Sequence, residues 1–585
     1  MVAQNFSNQN LVGNDFRGQN LNGSTFFKSR LDGVQFNKNA QGTATQLRGT
    51  NFEEAFLLNV NATGAIFAPN TSFGPATFYK ASLEGANFSG TNLTKANLSL
   101  ISTNKGFNLS NANLTDAILR EADLGGEAPE LQPGVVELTY TKLTGANLTR
   151  ADLFKANLKS ADLTGAILVD ANLQEASLEG VVFKGVNATG ADFRLSNFTD
   201  VVLSGTVKFD LADFSGIGIT DISVELDPVT GLPVPTNVSF RGATLAGASL
   251  EDVVFSGADF RPFDAVHKGT QLIKVTDLTG LSLPDSNFSN SQFNGAILDN
   301  IKAEDLNLNG VNFSSYTASN GQEFRTQLNN ANLADSDFVG ANLSKIVAEN
   351  AYLNEADLTN VLLIGADLSK ANLGGAILTG ANLTGGVELD NSFLELANFN
   401  TANLTGANLT NANLKSAILT GTDLDAANLT SAGMELADLS SASLVNADLD
   451  SAFIQKSNVA GANFTGASLV GADLKETDGD HLTNFTNANL SGASLEVGSF
   501  SGANFTNANL SNANLIKANF AGAVMVGANV TGVNAVDVVG LKMGSSGTDT
   551  ITGTTDKDNI FGLDSNDNLN GGDGDDYLDG GSGVD

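Results

Sequence analysis

Five aspartates near the C-terminus, Asp549, Asp558, Asp567, Asp576 and Asp585, follow one another at intervals of nine residues. Glycines precede them, most densely in the run Gly571-Gly572-Asp573-Gly574-Asp575-Asp576, and Ile551, Ile560, Leu569 and Leu578 each lie two residues beyond an aspartate. Carboxylate oxygens, joined by backbone carbonyls that glycine allows to curl inward, are the ligands of a hard cation such as Ca²⁺, which takes oxygen donors at about 2.3 to 2.6 Å. A disordered acidic tail has no use for a periodic apolar residue. Ten aspartates stand after Gly544 against one base, Lys557, so without a cation the tract repels itself.

The fourth unit, residues 571–579, fits Gly-Gly-x-Gly-x-Asp-x-U-x throughout. Residues 544–585 thereby resemble the haemolysin-type (RTX) calcium-binding repeat. That resemblance implies a short parallel β-roll with two nonapeptides per coil, in which glycine-rich turns on the same side share Ca²⁺. It pairs Asp549 with Asp567, Asp558 with Asp576, and Asp567 with Asp585, and it gives Gly571, Gly572 and Gly574 to the best-matched turn. The fourth position departs from the pattern at Asp556 and Ser565, and the sequence stops six residues into a fifth unit. The resemblance also implies a secreted or cell-surface protein exported by a type I route, although the apolar C-terminal segment usual there does not follow in this sequence.

The elements that carry this tract are set by a second beat. Leu143, Leu148, Leu153, Leu158, Leu163, Leu168, Leu173 and Leu178 recur every five residues, and the same beat runs through most of the chain. On an α-helix five residues advance about 500°, so these leucines drift round the axis and form no stripe. A straight strand, with its period of two, throws alternate leucines to opposite faces. Only a chain that turns a corner after each short extended piece returns every Leu or Phe to one inside. In the commonest unit, such as Ala381-Asn382-Leu383-Thr384-Gly385, Ala and Leu face in, Asn faces out, and Thr-Gly supplies the corner.

This unit resembles the pentapeptide repeat over roughly residues 1–540. The resemblance implies an all-β fold, a right-handed quadrilateral β-helix of twenty residues per coil, so that Phe485 with Phe505, Phe500 with Phe520, and Phe6 with Phe26 stack in adjacent coils. Coils spaced about 4.8 Å apart make an elongated rod in which each touches only its neighbours. One pentapeptide buries about 1.5 to 3 kcal/mol of Leu or Phe against about 1 to 2 kcal/mol of backbone entropy for each ordered residue. No coil therefore stands alone. The beat breaks near 125–137, 220–238 and 261–277, where Pro129, Pro133, Pro228, Pro233, Pro235 and Pro262 fall. These insertions are expected to protrude.

No cysteine is present, which removes disulfides and thiolate metal sites. Residues 1–20 lack the basic and apolar regions of a Sec signal peptide, and no run of eighteen apolar residues predicts a membrane span. A net charge of −34 argues against nucleic acid or an anionic membrane as partner and favours cations or basic surfaces. The two histidines, His267 near Asp264 and His481 near Asp478 and Asp480, have no nucleophile or oxyanion device beside them, so no catalytic residue is assigned and the protein is read as not an enzyme. Sequons such as Asn92-Leu-Thr94 arise automatically from the repeat. The sequence thus predicts an exported, non-enzymatic calcium-binding scaffold. The alternative, implied by some pentapeptide-repeat proteins, is a mimic of duplex DNA that binds a type II topoisomerase.

Overall fold

A computed structural model describes residues 3–103, 107–124, 141–215, 217–220, 223–224, 237–251, 255, 257–268, 270–283, 286–303 and 306–585. Among them there is no helix. The chain forms two compact units, Met1–Lys302 with Tyr316–Phe324, and Ala303–Ser315 with Arg325–Asp585. Each contains a β-solenoid of stacked coils.

One coil of the second unit shows how five residues make one side. Asn408, Asn413, Ile418 and Asp423 form parallel bridges to Asn428, Gly433, Asp438 and Ser443 in the next coil, so four ladders give four sides. The inward Leu409 donates its N–H to the Asn428 carbonyl at 2.7 Å, and the Asn428 N–H donates back to the Ala407 carbonyl at 2.9 Å. Ala412 closes the corner by donating to Leu409 at 3.0 Å. The outward Asn also works locally: Asn428 Oδ1 accepts the Thr430 N–H at 3.0 Å and the Thr430 hydroxyl at 2.7 Å, an Asx turn that bends the chain. The last residue of the unit takes a left-handed φ, +68° at Gly406 and +58° at Asn411. Glycine meets no Cβ penalty there and asparagine a reduced one.

Leu409, Leu419, Leu429 and the alanines beside them are buried. Phe rings stack from coil to coil along the interior: Phe6 on Phe26 at 4.8 Å, Phe485 on Phe505 at 4.8 Å and Phe500 on Phe520 at 5.8 Å between centroids. Parallel offset stacking at these distances adds roughly 0.5 to 1.5 kcal/mol per pair to the burial of the rings.

The insertion near 125–137 lies outside the described residues, and most of that near 220–238 does too. The one near 261–277 is an antiparallel hairpin, Phe263–His267 paired with Thr270–Lys274. It folds back along its unit instead of protruding. Phe263 is buried, a Cβ at Gly242 would fall 2.7 Å from the Phe263 Cβ, and the hairpin tip reaches Asp170, which lies 3.2 Å from His267 Nε2 and 3.1 Å from Lys268 Nζ. A second hairpin, Tyr316–Thr317 with Glu323–Phe324, joins the first through Ser319, whose N–H and hydroxyl donate to Asp264 at 2.6 and 2.7 Å. These bonds, the Ser319 hydroxyl first, hold the Asp264 carboxyl below its ordinary pKa.

Leu429→Ala is expected to destabilise the second unit by about 2 to 5 kcal/mol, because its cavity has no room to collapse between two coils. Asn428→Ala, which removes the corner bonds from an exposed side chain, is expected to cost about 1 kcal/mol. Urea denaturation followed by circular dichroism measures both.

Candidate metal centre

Beyond the last pentapeptide coil the ladder period changes from twenty residues to eighteen. Leu541–Met543 pairs in parallel with Asn559–Phe561, which pairs with Tyr577–Asp579. On the other side Thr550–Thr552 pairs with Asn568–Asn570. Ile560 is fully buried between the two sheets, whereas Leu578 on the outermost strand is 43% exposed.

The turns between these strands carry the aspartates. Three of them project one carboxylate oxygen to the residue eighteen positions earlier: the N–H groups of Asp549, Asp558 and Asp567 donate to Oδ1 of Asp567, Asp576 and Asp585 at 2.7, 2.9 and 2.8 Å. The second oxygen turns into its own loop, where Asp549 accepts from the Ser545 N–H at 2.5 Å and Asp558 accepts from the Thr554 N–H and, at 2.8 Å, the Thr554 hydroxyl. Asp567 differs. Its Oδ2 is buried with no hydrogen-bond donor among the described residues.

Glycines make the turns possible at this spacing. A Cβ on Gly572 would collide with the Thr554 carbonyl and one on Gly574 would lie 3.0 Å from the Asp556 carbonyl, while Gly581 and Gly583 face the carbonyls of Leu563 and Ser565 in the same way. Gly571 lies against the Asp576 carboxylate. Successive turns on one side thus bring paired carboxylates and backbone carbonyls close together. Among the described residues no three carboxylate or imidazole groups converge, so a cation here must draw on carbonyl oxygens as well. That donor set, with one buried carboxylate oxygen unpartnered, fits hard Ca²⁺. Asp549 with Asp567, Asp558 with Asp576 and Asp567 with Asp585 are the pairs that these turns join by hydrogen bonds.

The same sheet is also attached to the solenoid. Asn559 is fully buried and its amide donates to the carbonyls of Ala523 at 3.2 Å and Gly540 at 3.3 Å, while the Gly527 N–H donates to the Tyr577 hydroxyl at 3.1 Å. Phe561 is buried beside them, 5.6 Å from the Tyr577 ring. Gly540, with φ +75°, passes so close to Ala521 that a Cβ would lie 2.7 Å from its backbone. None of this docking was legible in the nine-residue beat, in which Asn559 and Tyr577 occupy unconstrained positions.

The histidines take no part in this centre. His267 is partnered by Asp170 rather than Asp264, and His481 is 76% exposed with Nδ1 4.0 Å from Asp480. A separation of 97 residues hides the first pairing from any reading of spacing.

Asn559→Ala leaves the Ala523 carbonyl without its donor and the Gly540 carbonyl with the Asn559 N–H alone, which is expected to cost about 1 to 3 kcal/mol. Hydrogen exchange at Tyr577–Asp579 should quicken while exchange near Leu409 stays unchanged.

The family model for pentapeptide repeats matches residues 73–99, 105–126, 136–205, 236–261, 326–478 and 499–534, more than half of the chain. The model for the RTX calcium-binding nonapeptide repeat matches 543–585. Among curated proteins none matches significantly. Of the solved structures, HetL, a pentapeptide-repeat protein involved in heterocyst differentiation regulation from the cyanobacterium Nostoc sp. strain PCC 7120, is 33% identical over 39% of this chain and 87% of its own, with a TM-score of 0.27. The pentapeptide-repeat protein Rfr23 of the cyanobacterium Cyanothece 51142 is 26% identical over 26% and 85%, with a TM-score of 0.14. QnrB1, a plasmid-mediated fluoroquinolone resistance protein, is 21% identical over 42% and 90%, with a TM-score of 0.17. On the extent of the first match, the chain belongs to the pentapeptide-repeat proteins, and it carries RTX calcium-binding nonapeptide repeats near its C-terminus.

Proposed function

We propose that the protein is a non-enzymatic, exported calcium-binding scaffold. In this reading the nonapeptide turns bind Ca²⁺ and the solenoid presents long surfaces to a partner. The observation that carries it is the set of turns in which Asp549, Asp558, Asp567, Asp576 and Asp585 pair at eighteen residues beside carbonyls admitted by Gly571, Gly572 and Gly574, with Asp567 Oδ2 buried and unpartnered. Bound Ca²⁺ supplies the positive charge that lets these carboxylates stay close. The chain's own residues do the rest: glycines bring carbonyls inward, and Asn559, Phe561 and Tyr577 seat the tract on the last coil.

Export follows from the same chemistry. Ten aspartates with no cation repel one another, so the tract stays open where Ca²⁺ is scarce and closes where it is millimolar. The DNA-mimic reading calls for unbroken ladders of acids, whereas acids on several sides are partnered by lysines one coil away, as in Lys155 with Glu175, Lys159 with Glu179 and Lys370 with Glu349.

Calcium titration of the full chain, followed by circular dichroism and calorimetry, tests the proposal. Millimolar Ca²⁺ should add β signal, and a chelator should remove it. Asp576→Ala is expected to weaken binding about tenfold or more, while Asp579→Ala, whose carboxylate accepts from Gly581 and Tyr577 within its own strand and turn, should change it little. Absence of heat and of spectral change at several millimolar Ca²⁺ overturns the reading.

A further inference from the structure

The outward position at the middle of each solenoid side is usually Asn, Asp or Ser. One ladder of the second unit breaks this habit repeatedly. Running Tyr352, Asn372, Phe393, Asn413, Gly433, Phe453, it sets three aromatic rings on one straight line of parallel bridges. They are 51%, 56% and 47% exposed. With strands about 4.8 Å apart, the first two rings stand two coils, roughly 10 Å, from each other, and the next lies three coils, roughly 14 Å, further on. The intervening positions are small or carry an amide, leaving a cleft of about 470 Å³ between Tyr352 and Phe393 with Asn372 and Gly374 in its lining.

The corner beside this ladder repeats the anomaly. Leu396, Leu436 and Val497 are 62%, 54% and 46% exposed, and all three hold left-handed φ angles of +62° to +64°. A leucine or β-branched valine in that region costs about 1 to 2 kcal/mol relative to glycine, and exposing it gains nothing for the fold. Strain and exposed apolar surface occurring together on one side mark a surface kept for contact.

The chemistry of the stripe selects its occupant. Flat rings at multiples of the strand spacing match a linear, repeating ligand rather than a compact one. The C–H faces of a sugar ring stack on such rings, and its hydroxyls need amides at the rim. Asn372 and Asn413 use Oδ1 for their own corners, and among the described residues their Nδ2 groups donate to no protein acceptor; Asn509 and Asn529, by contrast, donate to their ladder neighbours at 2.9 and 3.1 Å. The flanking lysines are neutralised by glutamates, Lys370 by Glu349 at 2.7 Å, Lys415 by Glu395 at 3.8 Å and Lys456 by Glu476 at 3.8 Å. Together with a net charge of −34, this disfavours a polyanion. We propose that the ladder Tyr352, Phe393, Phe453 binds a linear, uncharged polysaccharide, with sugar rings stacked on the three side chains. The proposal stands independently of the calcium reading.

Affinity electrophoresis of the full chain in native gels tests it, with hydroxyethylcellulose, mixed-linkage β-glucan or glucomannan cast in the gel and alginate as the polyanion control. At least one neutral polymer should retard the protein, and alginate should not. Phe393→Asn should raise the dissociation constant about tenfold, and the triple variant Y352N/F393N/F453N should migrate as in a blank gel. Asn already occupies this ladder position at 372 and 413, so the variants retain the fold, which an unchanged melting temperature verifies. Phe56→Asn, at a ring 57% exposed in the first unit, should leave retardation unaltered. Retardation by no neutral polymer, retardation that survives the triple variant, or retardation by alginate alone overturns the proposal. So does light scattering that shows a dimer lost in the triple variant, since the stripe would then cover a second copy of the chain.

Discussion

Everything in the solenoid follows from the demand that each short side place its backbone donors and acceptors on the neighbouring coil. Leu409 gives its N–H forward to Asn428, and Asn428 gives its own back to Ala407, so the two bonds fix the coil-to-coil register at one residue. That register then dictates composition. The residue between the two inward positions must bend the chain as well as face water, which is why Asn and Asp recur there: their side chains accept the N–H two residues on. The corner must accept a left-handed φ, and its N–H still bonds to the next coil, as Asn411 does to Thr430 at 3.0 Å.

How much of this was legible depended on whether the interaction repeats. The five-residue beat excluded helix and flat strand and located the inward residues, because each coil imposes the same burial on Leu429 as on Leu409. Pro262 marked the hairpin Phe263–His267 with Thr270–Lys274, whereas no proline stands at the hairpin Tyr316–Thr317 with Glu323–Phe324. Singular contacts left no trace in spacing. The hairpin Phe263–His267 with Thr270–Lys274 is held by Asp170 and by Ser319 on the second hairpin, partners that lie 97 and 55 residues away from His267 and Asp264, and a chain read along its length gives no reason to join them.

The acidic tract shows the same division. Aspartates every nine residues and an apolar residue two positions later carried the reading of the turns, since both are periodic. The carbonyls that complete them have no side-chain signature beyond glycine. The sheet Leu541–Met543, Asn559–Phe561, Tyr577–Asp579 has two buried faces: Ile560 fills the roll, while Asn559 and Phe561 meet the solenoid. A carboxylate pair that closes one face therefore also steadies the other.

The seating of that sheet has a consequence for how the molecule avoids its own kind. The last coil of any solenoid offers a row of peptide groups onto which a foreign strand can add, and after it another, without limit. Here the Ala523 and Gly540 carbonyls are taken by Asn559 and the Gly527 N–H by Tyr577, so part of that row is already answered from within the chain. The seated tract thus doubles as a stopper, leaving fewer free peptide groups at this end of the solenoid for templated growth.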